Sequence, residues 1–377
     1  MKILQITSDY YDTSVYNNLF NELESRLDLK VVVPLTMDKR QSIEAKAIPI
    51  NVSPIFCGMP RAFGIQINSS KYARNIISNG YLHGVSLVHA HYILNDGSIA
   101  LKLHRKTGVP YVVSVRATCI MNFERKIALH NYINGLNVLK NAKGIFFQTS
   151  NALNNLLNKI PKSYRDEVIK KSIIIPNGID KFWHENKIAN SKMFNEREFV
   201  LLTVASIEHN KNLLATAKAV ENLNSRGLRI KYNVVGRIID QFILDDLMQN
   251  SCFKYLGVLD KFGLLNAYRQ ADIFIMVSYN ETFGLVYAEA MSQGMPVIYS
   301  KGQGFDGQFE EGIVGFNADS NSIQDIEKAI MKVANCYKEL TTNSLECVSK
   351  FNWERIVEIY FTIYSEVLEN FKSSISN

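Results

Sequence analysis

The feature that most constrains this chain is a rhythm. Short β-branched runs alternate with longer amphipathic stretches along nearly its whole length. Candidate strands are Ile3–Thr7, Leu29–Pro34, Leu87–His91, Tyr111–Val115, Gly144–Thr149, Ser172–Ile175, Phe199–Ala205, Lys231–Val235, Phe253–Leu256, Ile273–Val277 and Pro296–Ser300. Helical segments between them include Val15–Leu27, Ile133–Asn141, Leu213–Ser225, Phe262–Arg269 and Ile323–Tyr337. Runs such as IIIP, VLLTVA and DIFIMV are almost wholly apolar, as strands are when helices cover both faces of a parallel sheet. Alternation repeated this often predicts an α/β architecture. The rhythm pauses in the polar stretch after Pro176, PNGIDKFWHENKIANSKMFNERE, and restarts at Phe199. We therefore expect two doubly wound, Rossmann-like domains, residues 1–180 and 181–355, with a linker near 180–198. A long final helix from about Trp353, closing the chain over 356–377, could cross back to the first domain.

Composition narrows the class. In 377 residues, 47% are hydrophobic and 21% charged, which excludes a disordered or collagen-like chain and supplies more than one core. Cys57, Cys119, Cys252, Cys336 and Cys347 show no CxxC spacing, so free thiols in a reducing compartment are expected. MKILQIT is too short for a signal-peptide core, and nothing is apolar for long enough to span a membrane. A cytoplasmic location follows as an expectation. The net charge of +6 is uneven: residues 1–180 hold 22 basic against 12 acidic side chains, and residues 181–377 hold 20 against 24. The basic half suits an anionic surface, and the alternative is a solvated face of surface lysines.

The most specific stretch is SYNETFGLVYAEAMSQGMPVIYS, residues 278–300. A strand ends in a loop carrying Glu281, a helix starts near Gly284, and Glu289 lies within that helix. Ligands of open α/β sheets bind at the carboxyl ends of strands, beside helix N-termini. Free N–H groups at Gly284 and Leu285 suit a phosphate, and glycine lets the backbone approach closely. Two nearby carboxylates would repel a bare phosphate, so they are expected to accept hydrogen bonds from hydroxyls, as of a sugar and a ribose. Lys211 follows a strand end and serves as a point charge for phosphate. No Asp-x-Asp follows a strand to hold a divalent ion, so a metal site is not expected. His89 and His91 share a strand face, with no evident third ligand for a metal; buried structural roles and functional ones are both open.

The spacing E-x7-E between Glu281 and Glu289, embedded in ETFGLVYAEAMSQGMPVI, resembles the donor-site signature of the family-4 glycosyltransferases, retaining enzymes of the GT-B fold. Similar matches run through VHAHYILNDG, GVPYVVSVRAT, IIIPNGID, TVASIEHNKN and KYLGVLDKFGLLNAYRQADIF. The resemblance implies that Glu289 binds the ribose of a sugar nucleotide and that Glu281 touches the donor sugar and helps catalysis. It implies that the backbone at Phe283, Gly284 and Leu285, with Lys211, holds the diphosphate. The family pattern has a glycine–arginine pair where this chain has Ala205 and Ser206, so a diphosphate contact is missing there or comes from Arg237. In the N-terminal half, His91 and Arg116 match catalytic positions, and Asp96 and Gly97 also match. Ala117 and Cys119 depart from the pattern, and the first loop, DYYDTSVYNN, lacks the family's usual glycines. The loop KGQGFDGQFEEG resembles the one that borders the donor sugar, where Asp306 and Gln308 could reach hydroxyls.

The reading implied is a metal-independent retaining glycosyltransferase whose two domains, 1–180 binding the acceptor and 181–355 the nucleotide-sugar donor, face each other across a cleft. It would move a hexose-type sugar from a UDP-, GDP- or other nucleoside-diphosphate sugar to a glycan hydroxyl, in bacterial surface polysaccharide synthesis. A lipid-linked glycan acceptor and peripheral attachment to the inner face of the plasma membrane fit the basic half, and no nucleic acid is expected. A sugar-nucleotide 2-epimerase and a catalytically silent binding subunit remain as alternatives.

Overall fold

The computed structural model describes residues 1–13, 15–44, 49–58, 65–116, 119–120, 129–189 and 193–376. Ala117 lies outside them. The chain divides into two compact units. One comprises Met1–Gly178 with Trp353–Asn377, and the other comprises Ile179–Asn352.

Unit 1 holds a seven-stranded sheet of β1 Lys2–Ile6, β2 Asp28–Thr36, β3 Val52–Gly58, β4 Leu87–Ala90, β5 Tyr111–Val115, β6 Gly144–Phe147 and β7 Ser172–Ile174. Its order is β3-β2-β1-β4-β5-β6-β7, and every pairing is parallel. Unit 2 holds six strands, β8 Glu198–Val204, β9 Arg229–Val235, β10 Phe253–Tyr255, β11 Ile273–Met276, β12 Val297–Ser300 and β13 Gly315–Ala318. Their order is β10-β9-β8-β11-β12-β13, again all parallel. The central strands are buried end to end: β4, β5, β6, β11 and β12 expose no residue. This explains the uniformly apolar runs, since a parallel sheet carries helices on both faces. In each sheet the chain builds outward from its first strand and then reverses. The reversal lies between β1 and β4 in unit 1 and between β8 and β11 in unit 2.

Two strands were not among those expected. β3, VSPIFCG, contains Pro54, which weakens a strand signal; it sits at the sheet edge, where a missing N–H is tolerated. β13, GFNA, opens on Gly315, where an added Cβ would lie 1.7 Å from the Val297 carbonyl oxygen. Close backbone approach selected a residue that carries no strand signal.

The last helix, Trp353–Ser376, packs against the helix Val15–Glu24 of unit 1. Its Tyr364 is fully buried and lies 2.6 Å from Nδ1 of His89. Gln5 Nε2 donates to the same hydroxyl at 3.3 Å. His184, by contrast, lies within unit 2, against the Phe351 carbonyl. Tyr364→Ala removes a buried ring and strips His89 and Gln5 of a partner. The expected cost is about 3–5 kcal/mol, the range for large aromatic truncations, read by urea unfolding of unit 1. A cost below about 1 kcal/mol would mean that the helix is only loosely docked.

Candidate functional site

The reversal in unit 2 brings together the loops after β8 and β11, as the rule for open α/β sheets requires of a ligand site. The loop after β8 turns on Asn212, which has φ of 54° and donates from Nδ2 to the Val277 and Ser320 carbonyls. Asn210 clamps the facing loop: its carbonyl accepts from the Tyr279 amide, its Oδ1 from the Asn280 amide, and its Nδ2 donates to the Asn280 carbonyl. His209 stacks on Tyr279 at 5.1 Å. The clamp places Lys211 against Glu281, with Nζ 2.9 Å from Oε2 and both side chains mostly buried. The other oxygen of Glu281 accepts from the Thr282 amide at 3.0 Å. Sequence reasoning gave these residues separate roles; the fold pairs them.

Gly284 caps the helix Leu285–Ser292 with φ of 78°, and no side chain closes the helix N-terminus. An added Cβ there would lie 2.4 Å from the Tyr287 ring, so the position requires glycine twice over. Leu285 is the first helical residue, and Phe283 is buried just before the cap. The glycine-rich loop presses on this turn: a Cβ on Gly304 would meet the Phe283 nitrogen at 2.5 Å, and the Gly304 amide donates to the Glu281 carbonyl at 3.0 Å. Within that loop Asp306 Oδ2 accepts from the Gly302 amide at 2.7 Å, and Gln308 is buried.

Glu289 lies further along the same helix and is half-buried. Oε2 accepts from the Tyr268 hydroxyl at 3.1 Å. Burial pushes its carboxyl up to about 7, helped by the nearby charge of Asp180 and opposed by hydrogen bonds from Tyr268 and Trp183 and by Lys261. Asp180 is itself held by Lys261 Nζ at 2.6 Å. This surround was missed in the sequence, although IIIPNGID and GVLDKFG already carried Asp180 and Lys261. Ser206, after β8, donates to Glu208 Oε1 at 2.5 Å. Arg237 is exposed just past β9, and its carbonyl accepts from the Ile207 amide, the residue after Ser206. Glu281, Lys211, Ser206, Phe283, Gly284, Leu285, Glu289 and Arg237 therefore all belong to unit 2, on the carboxyl-end loops of its sheet or the helix that follows β11.

His91 and Arg116 are in unit 1, at the carboxyl ends of β4 and β5. The strand-end position expected of His91 holds, but its side chain is buried. It stacks on His89 at 4.1 Å and meets Tyr16 edge-on at 5.0 Å. Burial, then His89 and Arg116, hold the His91 imidazole well below its usual range, so it is neutral. The Arg116 guanidinium lies over Tyr16 at 4.9 Å. Cys119 is a buried free thiol. Among the described residues no group of three or more His, Cys, Asp and Glu side chains could hold a metal ion, and no helix is long and apolar enough to cross a membrane.

Residues 184–344 match the family described as glycosyl transferases group 1. Over 339 residues the chain is 24% identical to an uncharacterized glycosyltransferase of Methanocaldococcus jannaschii, covering 88% of this chain and 89% of that one. It is also 24% identical over 264 residues to the alpha-monoglucosyldiacylglycerol synthase of Acholeplasma laidlawii, covering 63% and 64%. Among solved structures, Anabaena HepE in complex with UDP superposes with a TM-score of 0.72 at 16% identity, over 97% of this chain and all of that one. The lipopolysaccharide outer core galactosyltransferase WaaB superposes with a TM-score of 0.73 at 14% identity, over 97% and 100%.

The Glu289 carboxyl yields a pH test. Its proton is held more tightly in the folded chain, so its contribution to stability is present below the ordinary carboxylate range and is lost as pH rises through about 7. Glu289→Gln should therefore gain stability over the native chain between pH 5 and pH 8, in thermal melts followed across that range. A flat difference would mean that the carboxyl ionises freely.

Proposed function

We propose, from the premise that this chain is a group 1 glycosyltransferase with the GT-B fold, that it transfers a hexose-type sugar from a nucleoside-diphosphate donor to a hydroxyl with retention at the sugar carbon. The observation that carries the reading is the Lys211–Glu281 pair at the strand-order reversal of unit 2, beside the open helix end at Gly284. The donor's diphosphate takes the Lys211 ammonium and the free amides at Gly284 and Leu285, where the helix dipole favours negative charge. Glu281, released from Lys211, accepts from the sugar hydroxyls. Glu289 accepts from the ribose. HepE was solved with UDP, which supports a uridine nucleotide as the first donor to test.

Chemically, the bond from the sugar carbon to the diphosphate oxygen breaks and its electron pair leaves with the diphosphate. The acceptor oxygen bonds the same face of the oxocarbenium-like carbon, and its proton passes to the departing diphosphate. Lys211 and the helix end supply the positive charge that this leaving group needs, so we place no metal in the step. The acceptor is a glycan, carried on a lipid at the inner face of the plasma membrane, within surface polysaccharide synthesis. A basic groove between the helices Ile65–Ser78 and Asn95–Thr107, lined by Lys71, Arg74 and Lys106, supports that surface. Lys102 and Arg105 stand on the second of those helices.

Two measurements test this. UDP should raise the melting temperature, because a ligand that binds only the native state stabilises it by about 2.7 kcal/mol at a hundred times its Kd. Release of UDP from UDP-glucose should survive EDTA and fall by about a hundredfold or more in Lys211→Ala. Loss with EDTA, restored by magnesium, would assign the charge to a metal instead. For the membrane, anionic vesicles should pull the protein down at low salt and release it at high salt. Equal sedimentation with neutral vesicles would remove the surface from the proposal.

A further inference from the structure

Among the described residues, Asn212 is the only one other than glycine with a positive φ, 54° with ψ of 35°. The left-handed region is costly for any residue that carries a Cβ, and glycine enters it freely. An asparagine held there, in the first loop of a ligand crevice, implies that its side chain is needed for something glycine cannot do. That side chain is buried, with 6% of the residue exposed. Its Nδ2 donates to the carbonyl of Val277, one residue past β11, at 3.1 Å, and to the carbonyl of Ser320, two residues past β13, at 2.8 Å. One amide group therefore ties the loop after β8 to the loops after two other strands.

The backbone of Asn212 is pinned as well. Its N–H donates to the His209 carbonyl at 3.1 Å and closes the short 3-10 turn His209–Lys211. Its carbonyl accepts from the Thr216 amide at the start of the helix Leu213–Ser225. Lys211 is the residue just before this fixed point. Its ammonium rests on Glu281, with only 18% of the lysine side chain exposed. In the transfer step the ammonium has to leave Glu281 and meet the departing diphosphate. A lysine is a point charge on a flexible stem, so where its charge goes is set by where its Cα is held. With the Cα fixed, the change of partner is a side-chain rotation. With the turn loose, the loop follows the attraction of Glu281 and the charge arrives out of place. The other asparagine of the clamp, Asn210, grips the tip of the facing loop through exposed bonds. Asn212 holds the root of Lys211 from inside.

We propose that Asn212 is a positioning residue for sugar transfer: its side-chain amide holds the left-handed turn that aims Lys211 at the leaving diphosphate, and its effect on the reaction passes through Lys211. This rests on the donor reading above, which gives Lys211 the diphosphate.

The test compares Asn212→Gly, which keeps the turn and loses the tether, with Asn212→Asp, which keeps the shape but has no hydrogen for either carbonyl. Each is made in the native chain and in Lys211→Ala, and release of UDP from UDP-glucose is followed. In the native background both variants should lower kcat by about tenfold or more, the usual result of a charge displaced by about an ångström. KM for UDP-glucose should stay within about threefold, because the diphosphate charge grows only as the bond breaks. In the Lys211→Ala background neither variant should cost anything further, as for two residues that act through one group. A merely structural role would instead take the same factor from both backgrounds and lower the melting temperature of Asn212→Gly. Should the variants fail to fold, the native chain gives a second reading by NMR. The Asn212 side-chain amide protons should exchange slowly with water and keep their shifts when UDP is added, while the Lys211 ammonium resonance moves. Full kcat in Asn212→Gly or Asn212→Asp, equal losses in both backgrounds, a loss confined to KM, or Asn212 amide protons that exchange freely would each overturn the positioning role. If Lys211→Ala alone leaves UDP release unchanged, the donor reading falls, and this role falls with it.

Discussion

A parallel sheet has to be covered on both faces, and a chain that only ever added strands in one direction would cover just one. Both units solve this by building outward from the first strand, returning, and building outward on the other side. The return leaves two neighbouring strands whose following loops run apart, and a crevice opens at their carboxyl ends. In unit 2 those strands are β8 and β11, and the crevice holds Lys211 and Glu281. In unit 1 they are β1 and β4, and the buried side chains of His91 and Asp96 follow β4 there. The candidate side chains on these loops owe their place to this one requirement of burial.

The two crevices handle charge in opposite ways. In unit 2 the charges answer one another: Lys211 holds Glu281, and Lys261 holds Asp180 beside Glu289. A ligand there must exchange partners, which suits an anion that can take over the ammonium. In unit 1 His91 packs against Tyr16, Phe20 and His89, and its Nδ1 has no hydrogen-bond partner among the described residues.

The alternating pattern made the architecture legible, because strands such as DIFIMV have to be apolar on both faces. Eleven strands could be read that way; β3 and β13 could not, since Pro54 and Gly315 serve backbone geometry that leaves no hydrophobic trace. The unit 2 residues were legible through the embedded spacing of Glu281 and Glu289 around Gly284, where the turn needs glycine and the helix needs its first amides free. Their partnerships were not. Whether Lys211 meets Glu281 depends on Asn210 and Asn212 tying two loops that are 70 and 65 residues apart, and nothing local announces a clamp of that range. The same holds for His91. Its strand-end position was visible, but its partner Gln5 is shared with Tyr364, more than 350 residues further along the chain, which nothing local announces.

The placement of the last helix bears on how the protein is made. Unit 2 is an insertion: the chain leaves unit 1 after Gly178 and re-enters it at Trp353. During synthesis, at roughly 5–20 residues per second, unit 2 is complete as soon as Asn352 clears the ribosome. Unit 1, whose first strand emerged long before, still lacks the helix carrying Tyr364, and its His89 and Gln5 wait unpaired. Of the two units, the one whose first strand emerges earlier is therefore the one whose last element arrives later. Until Trp353–Ser376 has emerged, the helix Val15–Glu24 lacks the neighbour it packs against in the folded chain.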